Sequence, residues 1–281
     1  MNALSACLHD PILQRAMLAC LLIGFANGYV SAYVVLKKSA LKVGTISHGL
    51  LPGIAIAVML TGLSQWSVLL GAIAAAMFIG LGSLFMSRTS RLDQDTALGI
   101  LYTTGFAAGL IIIRRIGIRQ KLDEWLFGGL MSLSDSDLWI AFGISVIAIL
   151  FLTAYQRSIL VMLFEPNVAM SVGVPVRWLN YGLFGVVLLV LVSSLQAVGC
   201  ILSVGLLVAP AATIYMFSDR PAALFYGGGL LGALGSVIAF VIAFQTEWTA
   251  GSTIVLFFGA LFLLAYIFSP KYGLLARRSA A

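Results

Sequence analysis

Residues 179–217 read LNYGLFGVVLLVLVSSLQAVGCILSVGLLVAPAATIYMF, with Ser193, Ser194 and Gln196 as the main polar break. Drawn as one helix, the stretch would be about 58 Å long, roughly twice the hydrocarbon core of a bilayer. It predicts two membrane-spanning helices folded back on each other as a tight hairpin at that break. The rest of the chain repeats the pattern. Apolar runs at 12–36, 43–63, 66–86, 96–113, 138–154, 179–194, 197–217, 222–244 and 250–268 each approach the length of a span.

Composition agrees. The chain has 281 residues, 61% hydrophobic and 9% charged, with mean hydropathy +1.08. Soluble domains carry about 25% charged residues, so there is too little polar surface here to face water. In lipid every backbone polar group must be satisfied internally, which leaves helices or closed barrels. Runs of this length, without ten-residue alternation, select helices. The expected fold is all-α: a polytopic transmembrane bundle of nine spans, one domain across 1–281.

Eight spans with the N-terminus inside is the alternative, if span four or five is misplaced. The net charge of +6 does not indicate nucleic acid, because no basic run forms an electrostatic footprint. With the N-terminus outside, Lys37, Lys38, Lys42, Arg88, Arg91, Arg157, Arg177, Arg220, Lys271, Arg277 and Arg278 fall inside. Arg15, Arg114, Arg115, Arg119 and Lys121 fall outside. The excess favours N-out, C-in. The Arg114–Lys121 cluster is the exception, and a surface for an acidic partner is its other reading. The first residues lack the basic start of a cleavable signal peptide, and Asp10 and Pro11 interrupt them.

A chemical engine is missing. Gly-Lys does not occur, so there is no phosphate-binding P-loop. The only histidines are His9 and His48, which excludes a multi-histidine metal site within one chain. Cys7, Cys20 and Cys200 have no paired spacing. Most acidic residues fall in loops or near helix ends, which argues against a carrier driven by mid-membrane carboxylates. Energy therefore has to come from outside the chain.

Four places stand out. His48 lies in the first half of span two, in Thr45-Ile46-Ser47-His48-Gly49-Leu50-Leu51-Pro52-Gly53. Imidazole is the commonest metal ligand. Pro52 has no N–H for the His48 carbonyl four residues back, so a kink and a free carbonyl are expected beside the ring. A histidine hydrogen-bonded within the bundle is the plainer reading. Ala209-Pro210-Ala211-Ala212-Thr213 puts a proline inside span seven, which fits either a pathway-lining discontinuity or packing.

Trp125–Leu133 is apolar but only about 13 Å as helix, which predicts an interfacial or re-entrant segment. In the loop 155–178, Glu165-Pro166 opens a short helix, and Gly173 with Pro175 closes it. That helix is either a docking surface for a soluble protein or an ordinary connector.

Together these segments resemble the integral-membrane permeases of bacterial ABC importers for manganese, zinc and iron. The resemblance runs through Val34–Lys38 into Ser47–Gly53, then Leu126–Leu130, then Phe164-Glu165 with Ala169 and Gly173, then Gly199 through Ala209–Thr213 to Asp219-Arg220. It implies a type II importer fold and a passive permease in the bacterial inner membrane, with no activity and no bound cofactor of its own.

It also implies a second permease chain, identical or paralogous. Two ATPase subunits holding ATP would touch Phe164, Glu165, Ala169 and Gly173. An extracytoplasmic binding protein would deliver a divalent metal. His48 would then be a metal-site residue, with Gly44, Ser47, Pro52 and Pro210 along the pathway or gate. Family members carry an acidic residue four positions before the histidine, on the same helix face; here that position is Gly44. The alternatives are an ion-coupled secondary carrier and a non-transporting membrane scaffold.

Overall fold

A computed structural model describes residues 10–117 and 128–274, with all their side chains except those at 65, 116, 196–198 and 200–202. The helices are α1 Pro11–Leu36, α2 Ala40–Gly49, α3 Leu51–Thr61, α4 Gln65–Thr89, α5 Gln94–Ile116, α6 Asp135–Ala154, α7 Gln156–Phe164, α8 Pro166–Ser171, α9 Val176–Val198, α10 Cys200–Tyr215, α11 Pro221–Thr246 and α12 Ala250–Phe268. A 3₁₀ turn spans Leu130–Ser132.

Among the described residues, eight helical segments are long and apolar enough to cross a membrane, α2 and α3 counting as one. The expected span 197–217 is α10, with 16 residues. That is about 24 Å, short of the bilayer core. The span that falls short is therefore the seventh; the fourth and fifth, the ones in doubt, are full helices (α5 and α6).

Local chemistry sets the helix starts. Asp10 caps α1 by accepting from the Ile12 amide at 2.9 Å, and Pro11 supplies a preset φ. Asp93 caps α5 by accepting from the Asp95 and Thr96 amides, each at 3.1 Å. Ser134 and Asp137 form a capping box on α6.

The hairpin of 179–217 is real, but its turn is at Gly199 rather than at Ser193–Gln196. Gly199 has φ +88°, a conformation that costs glycine little. Ser194 stays helical because its hydroxyl is satisfied within the bundle, donating to the Val190 carbonyl at 2.6 Å and to Asn27 Oδ1 at 3.3 Å. The reversal shows in the pairings. Lys37 at the end of α1 donates to Asn180 at the start of α9, at 3.0 Å. After the turn, α10 returns to the same end, where Ser269 donates to the Met216 carbonyl.

α1 is the central post. It runs antiparallel to α11 with the two backbones touching. A Cβ on Gly28 would lie 2.1 Å from the Gly228 oxygen, and one on Gly24 would lie 2.5 Å from the Gly232 oxygen. Small residues allow this approach, and close backbones gain dispersion energy where lipid removes the hydrophobic drive between helices. The outer faces are apolar: Leu70, Phe78 and Phe85 on α4 are 62%, 72% and 68% exposed. Apolar surface of this extent suits lipid and not water.

Ion pairs mark both ends. Lys42–Asp95 (3.0 Å) and Lys271–Asp219 lie at the end where α1 finishes, and Arg15–Asp135 (3.0 Å) lies at the other.

The loop 155–178 holds two helices. Ile159 and Met162 of α7 are buried, which explains why this part folds as a helix and not as a free connector. Leu130, in the 3₁₀ turn, is buried against the apolar cluster around Leu13. Cys7, His9, Arg119, Lys121, Trp125, Leu126, Phe127, Arg277 and Arg278 lie outside the described residues; of the expected interfacial segment 125–133, the described part, 128–133, holds the 3₁₀ turn Leu130–Ser132 and no α-helix.

Candidate functional site

The second span is broken where its sequence predicts. α2 ends at Gly49, α3 begins at Leu51, and Leu50 joins them. Pro52 cannot donate to His48, and the Leu50 amide turns instead to the Ser47 carbonyl at a long 3.4 Å. The bend is held from outside. A Cβ on Gly109 of α5 would lie 2.8 Å from the Pro52 nitrogen, so α5 backs directly onto the proline.

His48 sits just before the break and is half-buried. Its ring faces α5, with the Tyr102 ring at 6.2 Å and 35°, and the Phe106 ring at 6.1 Å and near perpendicular at 83°. Among the described residues the imidazole is held by these two ring contacts and by no hydrogen bond. Both ring nitrogens keep their capacity to donate or to accept.

Gly44 lies one turn earlier on the same face, so it presents only backbone. Its carbonyl accepts from the buried Ser47 hydroxyl at 2.8 Å. A Cβ added at Gly44 would rest 3.4 Å from a Val204 methyl of α10, an ordinary contact. Gly44, Ser47, His48 and Pro52 therefore belong to one broken helix.

Pro210 belongs elsewhere. It stands six residues beyond Val204 on α10, about 9 Å along the helix, and its neighbour is α1. The buried Ser31 hydroxyl donates to the Val208 carbonyl at 3.1 Å and accepts from the Ala211 amide at 3.2 Å. Sequence reading passed over Ser31, and also Asn27, whose Nδ2 donates to the Ile23 carbonyl at 2.8 Å while its Oδ1 meets Ser194. The available signal was two polar side chains one turn apart in the middle of an apolar span.

Among the described residues, no group of three or more histidine, cysteine, aspartate or glutamate side chains could hold a metal ion. Cys20 is buried in the cluster of Ala16, Ile23 and Phe240, apart from His48, as a small packing residue. The Cys200 side chain lies outside the description.

At the end of α7, Phe164 is 61% exposed, and Glu165 is exposed between α7 and α8. Ala169 is fully buried and anchors α8 to the bundle. Gly173 closes α8 at φ +82°, and the Val174 amide reaches back to the Ala169 carbonyl at 2.9 Å. The expected helix around 164–175 is thus six residues long, Pro166–Ser171. It displays an apolar outer side in Val168, Met170 and Val172, which are 47%, 58% and 74% exposed.

A helical bundle of this kind, with eight segments long and apolar enough to cross a bilayer, defines a multi-span membrane protein. The chain belongs to the ABC 3 transport family, whose profile it matches over residues 9–269. It is similar to the manganese transport system membrane protein MntC of Halalkalibacterium halodurans, 34% identical over 94% of this chain and 90% of that one. It is also similar to the chelated iron transport system membrane protein YfeD of Yersinia pestis, 31% identical over 92% of this chain and 86% of that one. The structure of PsaBC from Streptococcus pneumoniae in complex with Fab superposes with a TM-score of 0.90 at 28% identity, covering 98% of both chains.

Proposed function

We propose that this chain is the permease of an ATP-driven importer of a divalent transition metal, manganese, zinc or iron, with His48 on the ion's route. The observation that carries the reading is the likeness along nearly the whole chain to membrane proteins named for manganese and for iron transport. A passive gate is consistent with a chain that lacks a P-loop. In this reading ATP is bound and hydrolysed by two separate subunits, a second permease chain completes the pathway, and an extracytoplasmic protein delivers the ion. The protein sits in the bacterial inner membrane, N-terminus out and C-terminus in, as the lysine and arginine bias supports.

The geometry supports a role for each residue. His48 offers an imidazole at a helix break, and the freed carbonyl of the same residue offers a second donor. Gly44 contributes only backbone, so this segment offers the ion neutral donors and no carboxylate. Phe164, Glu165, Ala169 and Gly173 form the coupling element: Phe164 and Glu165 present the contact, while Ala169 and Gly173 fix its angle. Pro210 serves as a hinge of α10 against α1.

Metal analysis and uptake of the assembled complex, with and without His48→Ala, tests the site. Loss of uptake with an intact complex is expected. Unchanged uptake and metal content would remove His48 from the route.

A further inference from the structure

A cleft of about 280 Å³ opens at the end of the bundle where α1 finishes. Its floor is Tyr33, Val43 and Ile46, and its walls are Leu84 of α4 with Val187 and Leu188 of α9. Leu81 of α4 and Tyr181 of α9, which line it, are 56% and 60% exposed, so its outer edge is reached between these two helices. The lining is mostly hydrocarbon, with Ser39, Ser83, Gln94, Asn180 and the Tyr33 hydroxyl as its polar exceptions. At the rim stand two ammonium groups, Lys37 and Lys42.

The two lysines are not equivalent. Lys42 pairs with Asp95 at 3.0 Å. Lys37 donates to two neutral oxygens, Tyr33 Oη at 2.7 Å and Asn180 Oδ1 at 3.0 Å, and no carboxylate lies within ion-pair distance of it among the described residues. Desolvation by its surroundings, and then the charge of Lys42, pull the Lys37 pKa below the ordinary lysine value. The opposite charge of an anion placed here would offset both effects.

From the apolar cleft, its opening between α4 and α9 and the unneutralised ammonium at its mouth, we infer that this is a binding site for an anionic phospholipid. One acyl chain lies between α4 and α9, and the phosphate bridges Lys37 and Lys42. Basic pockets between transmembrane helices favour anionic headgroups, and lysines near a membrane surface attract them. A second copy of this chain is a poorer occupant, because a cationic rim facing its own copy brings like charges together. The lipid would brace the junction of α1, α2 and α9, just below the broken span. This inference stands apart from the transport reading, since binding needs neither ATPase nor metal.

The test is native mass spectrometry of the purified chain, released from detergent containing equal amounts of phosphatidylglycerol and phosphatidylcholine. Wild type should retain phosphatidylglycerol at least threefold over phosphatidylcholine. Lys37→Gln should remove that preference while keeping the melting temperature. Val187→Phe, which fills the cleft and leaves both charges in place, should lower retention of both lipids. Equal retention by wild type, preference preserved in Lys37→Gln, or a lipid-free dimer that Val187→Phe dissociates would each overturn the assignment.

Discussion

The Ala211 amide donates to the Ser31 hydroxyl across 3.2 Å, tying α10 to α1 over 180 residues of sequence at the point where Pro210 interrupts α10. Ser31 also donates to the Val208 carbonyl, so a single hydroxyl serves a donor and an acceptor on either side of the proline. Ser31→Ala removes both of these interhelical hydrogen bonds. A loss of about 0.5–1.5 kcal/mol per bond follows. The expected outcome is a lower melting temperature in detergent, and an unchanged melting curve would show that the stitch contributes nothing.

The contact between α1 and α11 predicts an asymmetry among glycines. Gly28→Ala would drive a methyl into the Gly228 carbonyl and push the helices apart, a cost of about 1–3 kcal/mol for overpacking. Gly99→Ala meets nothing within 4 Å and should be neutral or mildly stabilising, as alanine is the better helix former by about 1 kcal/mol. Parallel melting of the two variants checks the prediction. Equal effects would mean that α1 and α11 are not in backbone contact.

The proposed coupling element predicts a separation of binding from folding. Phe164→Glu places a charge on an exposed apolar contact, and it should leave the permease folded while weakening co-purification of the ATPase at least tenfold. Ala169→Leu, at a fully buried position, should lower the melting temperature as well. Normal ATPase capture by Phe164→Glu would move the docking surface elsewhere.

At the same end of the bundle, Asp219 accepts from Lys271 and, at 3.1 Å, from the Tyr272 hydroxyl. The Lys271 bond first, and the Tyr272 bond after it, hold the carboxyl below its usual range. A depressed folded pKa contributes stability above the unfolded carboxylate range and loses it as pH falls through the folded value. Melting temperature followed from pH 6 down to pH 3 should therefore fall less in Asp219→Asn than in wild type. The group is exposed, so the difference is small. Parallel pH curves would show that the pair does not act on stability.

Much of this fold was legible because lipid imposes simple rules. Length and apolarity locate the spans, and Pro52 locates the break in the second one. The hairpin turn was misplaced by a few residues. Ser193, Ser194 and Gln196 look like a loop in sequence, yet Ser194 is paired inside the bundle, and the backbone freedom of Gly199 decides the turn. α7 was missed because its buried Ile159 and Met162 acquire meaning only from their neighbours. Of the candidate site, Gly44 through Pro52 was readable as one segment. That Tyr102 and Phe106 flank His48, and that Ser31 secures Pro210, depends on contacts between distant helices.

The central claim is that this chain is a gate moved by separate nucleotide-driven subunits. Metal uptake into proteoliposomes tests it most directly, comparing the permease alone with the permease plus ATPase and binding protein, with and without ATP. Uptake should require both ATP and the ATPase. Uptake by the permease alone down an ion gradient, or ATP cleavage by the isolated chain, would contradict it.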